Sequence, residues 1–252
     1  MYIVYKYIQY TRWYYKGGKN MNKTKLMDFN ENIQYKFHTN ICECDMVAAS
    51  VSVCERYKLL TNEKIEWLKL LPKEKRTVEM GKLQKDKSFS DKMISGLLET
   101  RDIFINENHI TDDDIISLHS DALFIINKNN IKTKVNGIDF KIKNTYTSYV
   151  KYDERMEMFY TGKYIDFKQF NKERLKDHTL GIVKYLTNIF NKIENYDPTI
   201  LDYMRKTNTR YLKDKLPEYW YRSFGNVGEY KTENFKLFAY MTNIVLNEVR
   251  RW

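Results

Sequence analysis

Two short apolar runs, Ile115-Ile116-Ser117-Leu118 and Ala122-Leu123-Phe124-Ile125-Ile126, stand on either side of a polar tripeptide, His119-Ser120-Asp121. Runs of this length, rich in β-branched and aromatic residues and joined by turn-forming residues, predict a strand–turn–strand. Neither run alternates with polar residues, so neither strand has a face suited to water, and the hairpin over 114–127 belongs inside a larger sheet. A chain built around such a hairpin needs further strands to pair with it and a second layer to cover it. It also presents one carboxylate, Asp121, at the turn.

Partner elements are readable along the chain. Alternation through Ile33, Tyr35, Phe37 and Ile41 predicts a strand over 33–45 that runs into Asp45. The small-residue stretch Met46 to Cys54 then starts a helix, and Ile65 to Leu71 forms another, stopped by Pro72. Residues 73–109 read as a long helical region, opening with Lys73, Lys75 and Arg76 and carrying Phe89, Met93, Leu97 and Phe104 at helical spacing. Asp112-Asp113-Asp114 reads as a solvated turn. Beyond the hairpin, 138–142, 145–152, 156–160 and 164–168 are strand candidates, and from Arg174 the pattern is helical to the end, interrupted by Pro198, Pro217 and the Gly225–Gly228 loop. The fold class is therefore α+β: a small antiparallel sheet packed on helices, followed by a helical C-terminal region. Three segments are expected: a basic aromatic arm over 1–27, an α+β domain over 28–175 and a helical region over 176–252.

Composition narrows the partners. The formal net charge is +10, and excess Lys and Arg favour polyanions through counterion release, so nucleic acid is the first partner to consider and an acidic membrane surface the second. In the arm, Lys6, Arg12, Lys16, Lys19, Lys23 and Lys25 interleave with Tyr2, Tyr5, Tyr7, Tyr10, Trp13, Tyr14 and Tyr15. That arrangement suits base stacking beside phosphates, or equally an upstream extension ahead of Met21. Cys42, Cys44 and Cys54 are an odd number in one short region, which fits reduced thiols better than a disulfide framework. With His38 they do not reproduce a defensible zinc spacing. No apolar run reaches the ~18 residues of a membrane span, and charge and tyrosine interrupt every N-terminal stretch that a signal peptide would need.

Asp45, just after one strand, and Asp121, in a hairpin turn, are placed as nucleotidyl transfer requires. That chemistry needs two acids on neighbouring strands to hold divalent metal, which activates the attacking hydroxyl and neutralises the leaving pyrophosphate. The structural alternative is that both simply cap turns.

The order strand–Asp–helix, basic helix, strand–turn–Asp–strand, small sheet, helices resembles the palm and thumb of family B DNA polymerases, over residues ~33–175. Cys44-Asp45-Met46-Val47-Ala48-Ala49-Ser50-Val51-Ser52 stands where that family has an aspartate followed by Ser-Leu-Tyr-Pro-Ser. Ser117-Leu118-His119-Ser120-Asp121-Ala122-Leu123-Phe124-Ile125 is similar to its Tyr-Gly-Asp-Thr-Asp-Ser motif and following strand. Thr100-Arg101-Asp102-Ile103-Phe104-Ile105 looks like its Gly-Arg helix. The stretches 140–146 and 159–163 resemble the sheet that follows.

The resemblance implies a palm-type nucleotidyltransferase acting on a nucleic-acid primer end, DNA rather than RNA, with a nucleoside triphosphate and Mg²⁺ held by Asp45 and Asp121. Lys82 and Lys85 would meet phosphate, and Arg101, Ser50 and His119 would line the substrate site. The chain departs from the pattern in three ways. His119 replaces the first acid of the turn and Ala122 its serine. Ser50 stands where the family has the tyrosine that screens out ribose. The Lys-x3-Asn-Ser-x-Tyr-Gly helix motif is absent, although Gly81-Lys82-Leu83-Gln84-Lys85 supplies lysines. A second reading is therefore a catalytically inactive, palm-derived nucleic-acid- or protein-binding protein of viral origin. Either would act in the cytoplasm, inside the host cell if viral, within a larger replication or viral assembly and away from membranes.

Overall fold

A computed structural model describes residues 21–222 and 230–252. In chain order the strands are β1 (Asp28–Phe29), β2 (Tyr35–Lys36), β3 (Ile41–Met46), β4 (Ile115–His119), β5 (Ala122–Ile126), β6 (Lys134–Val135), β7 (Ile138–Tyr146), β8 (Ser148–Lys151), β9 (Glu157–Tyr160) and β10 (Ile165–Lys168). The α-helices are α1 (Ala49–Arg56), α2 (Asn62–Leu70), α3 (Lys73–Leu83), α4 (Lys87–Glu107), α5 (Lys172–Asp177), α6 (Lys184–Glu194), α7 (Ile200–Leu212) and α8 (Tyr230–Val249). The chain has the expected α+β class, with antiparallel strand pairs and a helical C-terminal region.

The described residues fall into two compact units, one formed by residues 21–30 and 40–145, the other by 31–39 and 146–252. The division falls at Tyr146, inside the segment expected as one domain over 28–175. Residues 21–27 do not stand apart from the first unit. Met21 lies in its core at 8% exposure, and the buried Arg101 guanidinium donates to the carbonyls of Lys23, Lys25 and Leu26 at 2.6, 2.6 and 3.2 Å. The rest of the expected arm, residues 1–20, lies outside the described residues.

The first unit is a six-stranded sheet in the order β1-β4-β5-β3-β7-β6. Side chains alternate across it with the two-residue period of a pleated strand. Cys42, Cys44 and Met46 of β3, Leu118 of β4 and Leu123 and Ile125 of β5 join one core with helical residues including Val51, Val53, Leu97 and Phe104. The intervening Ile41, Phe124 and Ile126 are also buried, so both faces of the central strands are covered, as their apolar runs require. Where α1 meets α4 the helices approach closely. A Cβ on Gly96 would lie 2.7 Å from Val53 Cγ1 and 2.9 Å from Tyr57 Cδ2, so only glycine fits.

Local chemistry sets the places where the elements differ from expectation. The strand expected over 33–45 breaks into β2 and β3 because His38 adopts the left-handed region, with φ 50°. The helical region over 73–109 is two helices, since Asp86 caps the Phe89 N–H at 3.1 Å and starts α4 afresh. The hairpin turn holds two residues, Ser120 and Asp121, not three: His119 pairs with Ala122 and so ends β4. Asp112–Asp114 form a 3₁₀ turn in which Thr111 and Asp114 make a capping box, while Asp112 pairs with Lys23 at 2.8 Å.

The second unit is a four-stranded sheet, β10-β9-β8-β2, with helices α6, α7 and α8. Val150, Met158, Tyr160 and Ile165 share a core with Tyr185, Leu186, Ile189, Phe190, Met204, Phe238 and Met241. Its buried phenol of Tyr185 donates to Asn208 at 2.9 Å.

Candidate active site

Register assembles the site on the sheet face opposite the thiols. Antiparallel pairing sets Asp45 against Ala122 and Ala122 against His119, so these three stand in one row on one face. The next row holds Glu43, Phe124 and Ser117, with Phe29 beyond Ser117 on β1. On the far side of β3, Lys141 of β7 lies 3.8 Å from Asp45 Oδ2 and Lys143 lies 3.0 Å from Glu43 Oε1. The face thus carries two rungs of opposite charge, Asp45–Lys141 and Glu43–Lys143. Ala122, between Asp45 and His119, fills little of its row.

The turn brings the second expected acid to the same end of the sheet. The Met46 N–H donates to the Asp121 carbonyl at 2.8 Å, locking the exit of β3 to the β4–β5 turn. The Asp121 side chain is exposed, whereas that of Asp45 retains 19% of its exposure. Burial pushes the Asp45 carboxyl above the ordinary carboxylate range. Lys143 and Lys141 pull it down, and the charges of Asp121 and Glu43 push it up. Asp45 and Asp121, expected to work together, are therefore near enough to repel each other.

Hard carboxylate oxygens under mutual repulsion are the donor set that a small divalent cation such as Mg²⁺ relieves. Among the described residues, no group of three or more His, Cys, Asp or Glu side chains gathers as a metal cluster. Any ion here would be held by the Asp45 and Asp121 pair.

The remaining expected site residues are scattered. His119 is held in the sheet by rings: its imidazole centroid lies 4.9 Å from the phenyl centroid of Phe124 and 6.0 Å from that of Phe29, with Ser117 Oγ 3.4 Å away. Ser50 is a half-buried residue in the first turn of α1. Lys82 is exposed near the end of α3, paired with Glu79 at 2.6 Å, and Lys85 is exposed in the loop that follows. Arg101 is 1% exposed and donates to three backbone carbonyls, which clamps residues 23–26. The three cysteines are free thiols packed in the core, and burial raises Cys44 to about 12 and Cys54 to about 11.

Glu43 is the residue that sequence reasoning missed. It is 2% exposed and accepts from Lys143 and from Asn144 Nδ2 at 2.6 Å. A signal existed: Glu43 and Asp45 are two apart on one strand, and Lys141 and Lys143 two apart on another. At the period of a pleated strand each pair must share a face.

Fold and site together define an α+β protein whose antiparallel sheet carries Asp45 at the end of one central strand and Asp121 in the adjoining turn. The chain belongs to the bacteriophage PBS1 gene 130 protein family, which it matches over residues 19–252. No curated protein matches it. Among the described residues, no helix is long and apolar enough to cross a membrane.

Proposed function

We propose that this phage-family protein is a small palm-type nucleotidyltransferase that extends a nucleic-acid primer end, DNA in preference to RNA. Asp45 and Asp121 are its metal-binding carboxylates. The observation that carries the reading is their placement: one acid lies at the end of a central strand, the other sits in the adjoining hairpin turn, and the Met46 N–H to Asp121 carbonyl bond ties that strand end to the turn. A sheet backed by helices fixes both. A divalent ion bound there would acidify the primer hydroxyl and neutralise charge on the pyrophosphate. Asp45 holds its share of that charge on a rigid strand, and Asp121 closes the site from the turn. Lys141 and Lys143 stand on the same face and supply positive charge toward a triphosphate or primer phosphate, with Lys82 and Lys85 exposed elsewhere on the unit. Such an enzyme acts inside the infected cell, in a larger replication assembly.

Primer extension with purified protein, Mg²⁺ and each nucleotide set tests this. Incorporation is expected, and it should fall by at least ~10²-fold in Asp121→Asn, the scale of losing charge stabilisation at a reacting centre. Incorporation that survives that substitution contradicts the assignment.

One observation favours a second reading, a palm-derived platform that binds nucleic acid or protein without catalysis. The position of the turn's first acid is taken by His119, packed between Phe29 and Phe124. This reading predicts nucleic-acid or protein binding with neither incorporation nor dependence on Mg²⁺.

A further inference from the structure

In the second unit three rings make an aromatic step, two of them well exposed. The imidazole of His38 and the phenol ring of Tyr196 are stacked face to face, with centroids 4.3 Å apart and planes 2° from parallel. The indole of Trp252 meets Tyr196 at 5.6 Å and 68°. Tyr196 is 55% and Trp252 40% exposed. A carboxylate orients the imidazole: Glu194 lies 3.8 Å from His38 Nδ1 and also accepts from Ser148.

The backbone under the stack is unfavourable for the residues it carries. Tyr196 follows the last residues of α6, and the Asp197 N–H reaches the Lys192 carbonyl while the Tyr196 N–H reaches that of Ile193. Those two bonds are a Schellman motif, in which the position of Tyr196 is left-handed and normally glycine. Tyr196 has φ 49° there, and His38 has φ 50°. A large ring is thus kept at a site where glycine would relieve strain, and the ring is presented to solvent instead of being buried.

Charge selects the occupant. Lys36 and Arg250 are exposed, each two positions from a ring of the stack in sequence, whereas the acids nearby are engaged. Glu194 faces His38 and Ser148, Asp197 bonds Lys192 and Thr199, and Glu248 bonds Arg251. The exposed rings of Tyr196 and Trp252, with the exposed cations Lys36 and Arg250 close by in the chain, match the bases and phosphates of an unpaired strand. We infer that the His38–Tyr196–Trp252 step is a stacking platform for a base of single-stranded nucleic acid, separate from the carboxylate site and independent of whether that site is catalytic.

The test is polarisation of a dye-labelled oligo(dT) of about a dozen nucleotides, within the span of single-strand sites, titrated with the full chain, with oligo(rU) and duplex DNA alongside. Tyr196→Gly should weaken binding to the single strands roughly tenfold, the scale of losing one stacked base. Its melting temperature should equal or exceed that of the parent, and the salt dependence of binding should be unchanged because no charge is removed. Tyr196→Phe should bind like the parent. The dT and rU arms report which backbone is preferred, and preference for either over duplex supports the platform. The inference is overturned by a Tyr196→Gly variant that binds like the parent. It is equally overturned by a melting temperature that falls with binding, by a loss that Tyr196→Phe shares, or by tighter binding to duplex.

Discussion

At the scale of single residues, the account rests on where charge is buried. Asp45 is the clearest case. Burial raises its folded pKa above 3.8, so the native state takes up a proton more readily than the unfolded chain, and stability declines as pH rises from that value through the raised one. Above that window the full burden of the ionised group is carried. Asp45→Asn should therefore melt at a higher temperature than the parent at pH 7, with the difference shrinking as pH falls towards 3.8, measured by calorimetry across that range. A lower melting temperature at pH 7 would mean that Lys141 and Lys143 outweigh burial. Arg101 behaves oppositely. Its truncation leaves three carbonyls without their cationic donor, so Arg101→Met should lose about 3 kcal/mol in urea unfolding, as for removal of one side of a buried charged network. Nothing in a sequence distinguishes this arginine from a substrate-binding one, because both are a lone cation on an otherwise apolar helix face. What separates them is the loop of residues 23–26, some 75 positions away.

At the scale of elements, the hairpin was legible because its two strands are apolar on both faces. The strands β8, β9 and β10 were legible as candidates too, although each carries polar residues such as Ser148, Glu157 and Asp166. The points where the chain turns were not. His38 and Tyr196 take left-handed conformations with residues that give no compositional warning, and the break between α3 and α4 depends on one capping aspartate. Of the site itself, Asp45 and Asp121 could be picked out as acids following strands, but Glu43 and its partners depend on which strand lies beside β3. Gly96 offers a test of the packing that backs this sheet. Alanine there gains about 1 kcal/mol of helix propensity, but its methyl meets Val53 and Tyr57 below contact distance. Overpacking of this kind costs about 1–3 kcal/mol. Gly96→Ala should lower the unfolding midpoint despite the better helix former; a raised midpoint would show that α1 and α4 can separate without loss.

At the scale of the whole molecule, the chain crosses between its units more than once, and this is why linear domain boundaries fail to describe it. Residues 31–39 leave the first unit to pair Tyr35 with Val150 in the second sheet, and the chain then returns at residue 40 to build β3. A pairing across more than a hundred residues has no local signature. The net charge of +10 suits a nucleic-acid partner, and the two sites proposed for one are the carboxylates on one sheet and the aromatic step in the other unit. The central claim is that Asp45 and Asp121 act as one cation site. A Mn²⁺ titration by calorimetry on the parent, Asp45→Asn, Asp121→Asn and the double variant measures this directly. The account predicts that each single substitution weakens binding by at least ~10-fold and that the double is no weaker than either, the non-additivity of groups that share a ligand. Binding unaffected by either substitution, or losses that simply add, would contradict it.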